Sequence, residues 1–249
     1  MAEQSPDLMP YFYSIRYSQV VPKRAFSLNR LLTTEALEKQ QANFASASPP
    51  FALRSLNYDA DYSGGACFLA VFEESTGWYS GFTKSGRDQF VAQLNSSQAH
   101  LADFAIQWRG DNPSVPISTP QYIAIWESWG NQAPVKQSVV SGDNMDWDTF
   151  MAQMTIKSQG GERLVKIRAY PAAGTFHLVG IFEEGATATT LEKYTSVEWA
   201  ALRGGLSGTG EYFDSLIDFQ VIDVDGVRSY ILLKDETLDY SDWNLGYWE

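Results

Sequence analysis

Four acidic residues recur at equivalent places along the chain and are the residues best suited to chemistry. Each ends an apolar run, and successive members lie 54, 56 and 52 residues apart. They are Glu73, Glu127, Glu183 and Asp235, in the segments FLAVFE, YIAIWE, LVGIFE and YILLKD. If the chain closes on itself, these rim acids lie on one rim, where carboxylates could bind a cation or supply an acid and a base. The alternative is that a charge ends each buried strand because the chain re-enters water there.

Three tryptophans form a second candidate constellation. Trp78, Trp129 and Trp243 each follow an apolar run that ends in a rim acid, in segments rich in Gly, Ser, Tyr and Asp. Aromatic rings beside polar side chains could form a platform for sugars or for a protein partner. The alternative interpretation is that these rings pack the loops onto a neighbouring part of the fold.

Dedicated catalytic motifs are absent from the sequence. It contains no Ser-x-x-Lys, no H-E-x-x-H and no glycine-rich phosphate loop. Its two histidines are His100, which we predict in a helix, and His177, which we predict at the start of a strand with a structural role. We therefore predict no catalytic residue, no cofactor and no dedicated metal site, and we favour a protein that is not an enzyme.

The charge balance narrows the range of partners. Thirty acidic residues against eighteen basic ones give a net charge of −12, which repels phosphate backbones and anionic membranes. No apolar run reaches the length of roughly 18 residues that a membrane helix needs. We expect a cytoplasmic protein, or a secreted one if a leader was removed, that binds neither nucleic acid nor membranes. A protein or a carbohydrate is the expected ligand class, and the sequence predicts no oligomeric state.

The positions of the rim acids indicate a repeated structural unit of roughly 54 residues. Each copy is predicted to contain a helix followed by a hairpin of two antiparallel strands, with the helix covering one face of the hairpin. Candidate helix caps are Thr33 or Thr34, Ser85, Asp146, and the capping box of Thr195 with Glu198. Asp225-Gly226 is predicted to form the last hairpin turn.

We therefore predict an α+β fold made of four degenerate helix-strand-strand repeats in one curved or closed repeat domain. The predicted repeat domain spans residues 28–236, with units at about 28–82, 83–142, 143–194 and 195–236. Residues 1–27 are predicted to form an N-terminal extension with one strand, at 11–18, that pairs with an end repeat. Residues 237–249 are predicted to form an acidic tail.

The repeats resemble the bacterial tandem repeat domain family, which also occurs in the N-terminal region of fungal polyglycine hydrolases. The resemblance rests on a helix that ends near a glycine, on a first strand that ends in an aromatic residue, and on the closing pattern Tyr122-Ile-Ala-Ile-Trp126-Glu127 with its analogues. The aromatic residues are Tyr58, Trp108 and Tyr170. The fourth copy departs from the pattern at Lys234. In that family the repeats resemble an accessory or binding scaffold, whereas cleavage belongs to a separate domain.

These observations favour a non-enzymatic binding or interaction module that uses inter-repeat loops and aromatic residues. One alternative is a hydrolase that acts on a peptide or a glycan through a carboxylate pair. A second alternative is an acidic protein that masks a basic partner protein by charge complementarity.

Overall fold

The structure is a computed structural model that describes ten stretches of the chain. They are residues 26–31, 33–59, 67–74, 79–96, 99–109, 116–128, 135–172, 174–185, 189–205 and 216–235. The strand predicted at 11–18 and the tail predicted at 237–249 lie outside these residues. No helix in the described part of the chain is long and apolar enough to cross a membrane.

The described elements follow the order strand, helix, strand, strand four times along the chain. The elements are β1 (Phe26–Leu31), α1 (Thr34–Ala45), β2 (Phe51–Asp59), β3 (Cys67–Glu74), β4 (Tyr79–Ser85), α2 (Arg87–Ser96), β5 (Ala99–Arg109), β6 (Pro116–Ser128), β7 (Gln137–Val140), α3 (Trp147–Gln159), β8 (Glu162–Ala172), β9 (Thr175–Glu184), β10 (Thr190–Thr195), α4 (Ser196–Gly205), β11 (Leu216–Val224) and β12 (Val227–Lys234).

The strands form four separate antiparallel sheets of three strands each. The strand orders are β1-β3-β2, β4-β6-β5, β7-β9-β8 and β10-β12-β11. In every sheet the last strand in sequence lies in the middle, and the helix follows the first strand. We number the sheets one to four in chain order. The mixture of helices with antiparallel sheets confirms the α+β class.

The first strand of each sheet was not predicted from the sequence. The units drawn from the sequence end at 82 and 194, inside β4 and β10, and at 142, just after β7. These strands pair with the middle strand of the following hairpin. They are short sheet edges of mixed polarity, as in QSVV and TLEKYT, so hydrophobic alternation marks them weakly. The unit boundaries themselves stay a prediction.

Local capping chemistry accounts for three of the helix starts. The side chains of Thr33 and Asp146 accept the backbone N–H groups of Ala36 and Thr149. Thr195 and Glu198 form the reciprocal bonds of a capping box. The fourth prediction is wrong, because Ser85 is the last residue of β4 and its buried hydroxyl has no hydrogen-bond partner among the described residues.

The placement of His100 also differs from the prediction. Helix α2 ends at Ser96, and His100 is the second residue of β5, opposite Glu127 on β6. The chain returns to the sheet immediately after the helix, so only two residues separate α2 from β5. A strand therefore begins where the sequence suggested that the helix continued.

Each hairpin contains a β-bulge at the same point. The pairing register shifts after a leucine near the start of the first hairpin strand in all four sheets. The four leucines are Leu53, Leu101, Leu164 and Leu216. A bulge bends its strand and redirects the side chains that follow it. The residue after each bulge therefore occupies an equivalent position in its sheet.

Successive sheets share their hydrophobic cores. Contacts between sheets run from β2 to β5, from β5 to β8 and from β8 to β11. The core of sheet one includes Ile123 and Ile125 of sheet two, and the core of sheet three includes Ile231 and Leu233 of sheet four. Each middle strand thus presents alternate residues to its own helix side and to the preceding sheet. The four sheets are joined by shared packing.

Candidate functional site at the joints between sheets

The rim acids occupy the same end of each middle strand. Glu73, Glu127 and Glu183 pair across the sheet with the first residue of the neighbouring strand or a residue next to it, and Asp235 follows β12 directly. The acids that were predicted to occupy equivalent positions therefore do occupy matching positions in the strand pairing. The side chain of Glu73 lies outside the described part of the structure.

Each of the other three rim acids contacts a basic residue of the preceding sheet. Arg54 of sheet one forms an ion pair with Glu127 of sheet two. The remaining two contacts join His100 Nε2 to Glu183 Oε1 at 3.6 Å, and Arg163 Nη1 to Asp235 Oδ2 at 3.2 Å. The side chains of Glu127, Glu183 and Asp235 are 17%, 16% and 0% exposed, so these pairs are held largely away from water. The acids act as joints between consecutive sheets.

The joint at Glu183 shows how a half-buried acid is kept charged. Burial by itself would raise the pKa of Glu183, but hydrogen bonds from His100 and Gln137 outweigh it and lower the pKa. Gln137 Nε2 donates to Glu183 Oε1 at 2.8 Å and also to the carbonyl of Leu101. Leu101 N returns a bond to Gln137 Oε1 at 2.9 Å. This network ties β7 of sheet three to β5 of sheet two.

A buried charge cluster, made of Asp103, Arg168 and Asp218, was missed by sequence reasoning. These residues are 1%, 4% and 8% exposed. Arg168 Nη1 donates to Asp218 Oδ2 at 2.7 Å, and Nη2 donates to Asp103 Oδ1 at 2.5 Å. The guanidinium also donates to the carbonyls of Phe104 and Leu56, at 2.6 and 3.4 Å. One side chain on β8 therefore contacts β2, β5 and β11, so it links all four sheets.

The two aspartates of the cluster have equivalent roles. Each follows the bulge of its own sheet and accepts a backbone N–H from the preceding sheet. Asp103 Oδ2 accepts from Leu56 N at 3.0 Å, and Asp218 Oδ2 accepts from Ile167 N at 2.8 Å. Strands β2 and β8 are sheet edges, and the carboxylates satisfy N–H groups that their own ladders leave open. The contact between sheets one and two and the contact between sheets three and four therefore use the same kind of hydrogen bond.

The environment of Asp103 favours its charged form. Burial would raise the pKa of Asp103, but the positive charges of Arg168 and Lys166 and the hydrogen bonds from Ser55 and Leu56 lower it overall. A carboxylate so enclosed cannot reach a substrate. The repeated segments LADF and LIDF, at 101–104 and 216–219, were the available sequence signal for the two acids. No sequence pattern near Arg168 predicted its place in this cluster.

A serine lies beside a lysine at the end of α3. Lys157 Nζ is 2.8 Å from Ser138 Oγ and 2.8 Å from Glu162 Oε1. Burial would raise the pKa of Glu162, but its hydrogen bonds with Lys157 and Ser138 lower it. Ser138 Oγ also donates to Glu162, so the serine, the lysine and the carboxylate form one hydrogen-bonded network. These hydrogen bonds connect α3 to β7 and β8.

The remaining residues singled out from the sequence are His177 and the three tryptophans. The His177 ring packs edge-on against Tyr170 at 5.7 Å between centroids, which is a structural contact. Trp78, Trp129 and Trp243 lie outside the described residues. In the sequence, Trp78 and Trp129 fall between consecutive sheets, and Trp243 follows the last sheet. No group of three or more His, Cys, Asp or Glu side chains within the described stretches is arranged to hold a metal ion.

The fold and its joints define an α+β protein of four helix-covered sheets. Comparisons with protein-family models, with curated proteins and with solved structures found no match.

Proposed function

We propose that this protein is a non-enzymatic interaction module. The observation that carries the proposal is the engagement of the rim acids: Glu127, Glu183 and Asp235 each contact a basic residue of the preceding sheet. Carboxylates used in this way hold a scaffold together, and a hydrolase would need a pair of them open to its substrate. In such a scaffold the packed sheets provide a rigid frame, and the connections on its surface supply the binding residues.

We further propose that the four sheets are degenerate copies of one repeat in a single domain. Support comes from the common strand order, the bulge at one common position, and the contact of three rim acids with a basic residue of the preceding sheet. The resemblance to the bacterial tandem repeat domain family agrees with this proposal. In that family the repeats resemble a binding scaffold, and the same role is proposed here.

The proposed binding surface lies on the connections between sheets and after the last sheet. Trp78, Trp129 and Trp243 are in or next to these connections, which follow the strands that end in rim acids. Tryptophan offers a large flat surface with one hydrogen-bond donor, which suits sugar rings and apolar side chains of a protein. The proposed ligand is therefore a carbohydrate or a protein segment.

A binding screen on glycan and peptide arrays tests this proposal. We expect the intact protein to bind a defined subset of probes, and Trp78→Ala with Trp129→Ala to weaken that binding by at least about tenfold, as the loss of an aromatic anchor does. The matched control is Val227→Ala, because Val227 is 65% exposed at the start of β12, next to the turn of the last hairpin. Equal losses in both variants, or no binding by the intact protein, would contradict the proposal.

The same probes separate the hydrolase alternative. Cleavage of a bound peptide or glycan that disappears in Glu127→Gln with Glu183→Gln, while the variant still folds and binds the probe, would identify a carboxylate-dependent enzyme. Intact probes after long incubation agree with a binding module.

A second candidate is an acidic protein that masks a basic partner. The specific observation is that the first turns of α1, α2 and α3 carry the exposed acids Glu35, Asp88 and Asp148. Together with the net charge of −12, they would attract a basic surface. Binding of this kind weakens steeply as salt rises, whereas stacking on tryptophan changes little.

A further inference from the structure

Two aromatic rings beside α3 hold an ammonium group at the surface of the protein. Lys193 Nζ lies 4.8 Å from the centre of the Trp147 ring and 5.7 Å from the centre of the Phe176 ring. An ammonium group within about 6 Å of a ring centre is attracted by the negative face of the ring. We call Trp147 and Phe176 the aromatic pair.

The aromatic pair is positioned by the backbone of sheet three and its helix. Trp147 is the first residue of α3, and Phe176 is the second residue of β9. Leu178 N of β9 donates to Met145 O at 2.8 Å, which fixes the segment before α3 beside β9. The two rings are therefore brought together by contacts that do not involve Lys193.

The two rings occur together at sheet three alone. The first helical residues of α1 to α4 are Thr34, Arg87, Trp147 and Ser196. The residues seven positions before the rim acids are Ala66, Pro120, Phe176 and Arg228. Two positions that are distant in sequence thus both carry an aromatic residue in one unit. The packing that the four units share does not require these rings, because the other units lack them.

A second lysine shows what a simple link between a helix and the next sheet requires. Lys84 of β4 and Lys193 of β10 each pair with an isoleucine that precedes a rim acid by four residues. Lys84 Nζ donates to Thr34 Oγ1, on the preceding helix, at 2.9 Å. A hydroxyl is therefore sufficient for this link. The aromatic pair offers in addition an apolar surface on which the carbon stem of a lysine can lie.

The hold of the aromatic pair on Lys193 is weak enough to be exchanged. Lys193 is exposed, whereas Trp147 is half-buried and Phe176 is 9% exposed. A cation–π contact at an exposed site contributes little free energy, and a lysine stem gains rotamer freedom when it is released. Lys193 can therefore leave the rings without disturbing the core beneath them.

The surroundings of the aromatic pair attract cations. Asp146 and Asp148 flank Trp147 in sequence, and both are exposed. The chain as a whole carries a net charge of −12. Such a potential raises the local concentration of positively charged partners and speeds their encounter. The rings then favour an ammonium group on a carbon stem, which is the structure of a lysine side chain.

We propose that the aromatic pair binds a lysine side chain of a basic partner protein, and that Lys193 occupies the site until the partner displaces it. Lys193 competes effectively because it is tethered beside the rings at a high effective concentration. The site uses none of Trp78, Trp129 and Trp243. It gives the alternative function, the masking of a basic partner, a specific point of contact.

A nuclear magnetic resonance titration with acetyl-Gly-Lys-Gly-amide tests this inference. The indole N–H signal of Trp147 is identified by its absence in Trp147→Leu. We expect the lysine peptide to shift this signal, and a matched peptide with norleucine in place of lysine to leave it unchanged. Lys193→Met should strengthen binding of the lysine peptide about two- to fivefold, as expected when a competing exposed cation–π contact is removed.

Two further variants control for charge and for folding. Lys39→Met removes the same charge from an exposed position on α1 and should leave the affinity unchanged. Trp147→Phe keeps a ring and should still bind the lysine peptide, whereas Trp147→Leu should not. The backbone amide signal of Asp148 reports binding in these two variants, and circular dichroism confirms that both fold.

Three results would overturn the proposal. The norleucine peptide could bind as tightly as the lysine peptide, which would mean that the rings form an apolar surface without preference for a cation. Lys193→Met and Lys39→Met could have the same affinity, or Trp147→Leu could bind as well as Trp147→Phe. None of these results bears on the binding proposed for Trp78, Trp129 and Trp243, because the residues differ.

Discussion

The charge of Asp103 should make the stability of the packing between sheets one and two depend on pH. Its carboxylate is enclosed by Arg168, Lys166 and the backbone of β2, and its pKa is lowered in the folded chain. In the unfolded chain the pKa of an aspartate is about 3.9. Because the folded pKa is the lower one, the charged group stabilises the fold above that value. This stabilisation is lost as the pH falls through the folded pKa.

We expect Asp103→Asn to make stability less dependent on pH in acid. The variant keeps the shape of the side chain and removes its titration, so its free energy of unfolding should be lower than that of the natural chain at pH 7. The difference should narrow as the pH falls below about 4. Urea denaturation at a series of pH values measures this. Asp225→Asn, in the exposed last turn, is the control and should follow the natural chain at each pH.

At the scale of elements, close packing of α3 on its sheet depends on one glycine. A Cβ at Gly180 would lie 2.5 Å from Phe150 Cζ and 2.6 Å from Leu164 Cδ1. The equivalent middle-strand positions in sheets one and two hold Ala70 and Ala124, which are also small and fully buried. The helix therefore sits close to the sheet because the strand beneath it carries a small residue.

Gly180→Ala should destabilise the protein by about 1–3 kcal/mol, since the added methyl group overpacks the helix against the sheet. The measurement is the free energy of unfolding in urea. Gly142→Ala is the control, because a Cβ there meets only Met145 Cε at 3.5 Å, an ordinary contact. A loss in Gly180→Ala no larger than in the control would show that Phe150 and Leu164 move aside freely.

At the scale of the whole molecule, Arg168 and the shared cores couple the four sheets. Arrays of repeats that touch only their neighbours can unfold in parts. In this protein a single guanidinium contacts strands of all four sheets, and three of the core clusters combine residues of two sheets. We infer that the described body unfolds as one unit.

Arg168→Met tests this coupling. It leaves Asp103 and Asp218 buried without their cation, which should cost about 3–5 kcal/mol. We expect the unfolding transitions of the natural chain measured by tryptophan fluorescence and by circular dichroism to coincide. In the variant, the transitions measured by the two methods should have different midpoints. The control is Arg228→Ala, whose partner Asp223 is 32% exposed, and which should cost less than about 1 kcal/mol. Separate transitions in the natural chain would contradict a single cooperative unit.

Features set by neighbouring residues could be predicted from the sequence. The α+β class, the caps at Thr33 and Asp146, the capping box at Thr195 and the turn at Asp225-Gly226 depend on contacts within a few residues. The regular spacing of the rim acids was also visible in the sequence, and each of these acids lies at or just after the end of a middle strand. The predicted helix cap at Ser85 was wrong because Ser85 belongs to β4, whose pairing partner β6 is distant in sequence.

Only the tertiary structure decided what these residues contact. The acids at strand ends bind basic residues of another sheet, such as Arg163 with Asp235, which are 72 residues apart in sequence. Arg168 meets Asp103 across 65 residues and Leu56 across 112. No local pattern encodes such a pairing, since its energy depends on burial and on the removal of competing water. The sequence by itself determined the α+β class and the locally capped helix starts, because those depend on neighbouring residues, whereas the packing of sheet against sheet decided which basic residue each strand-end acid contacts.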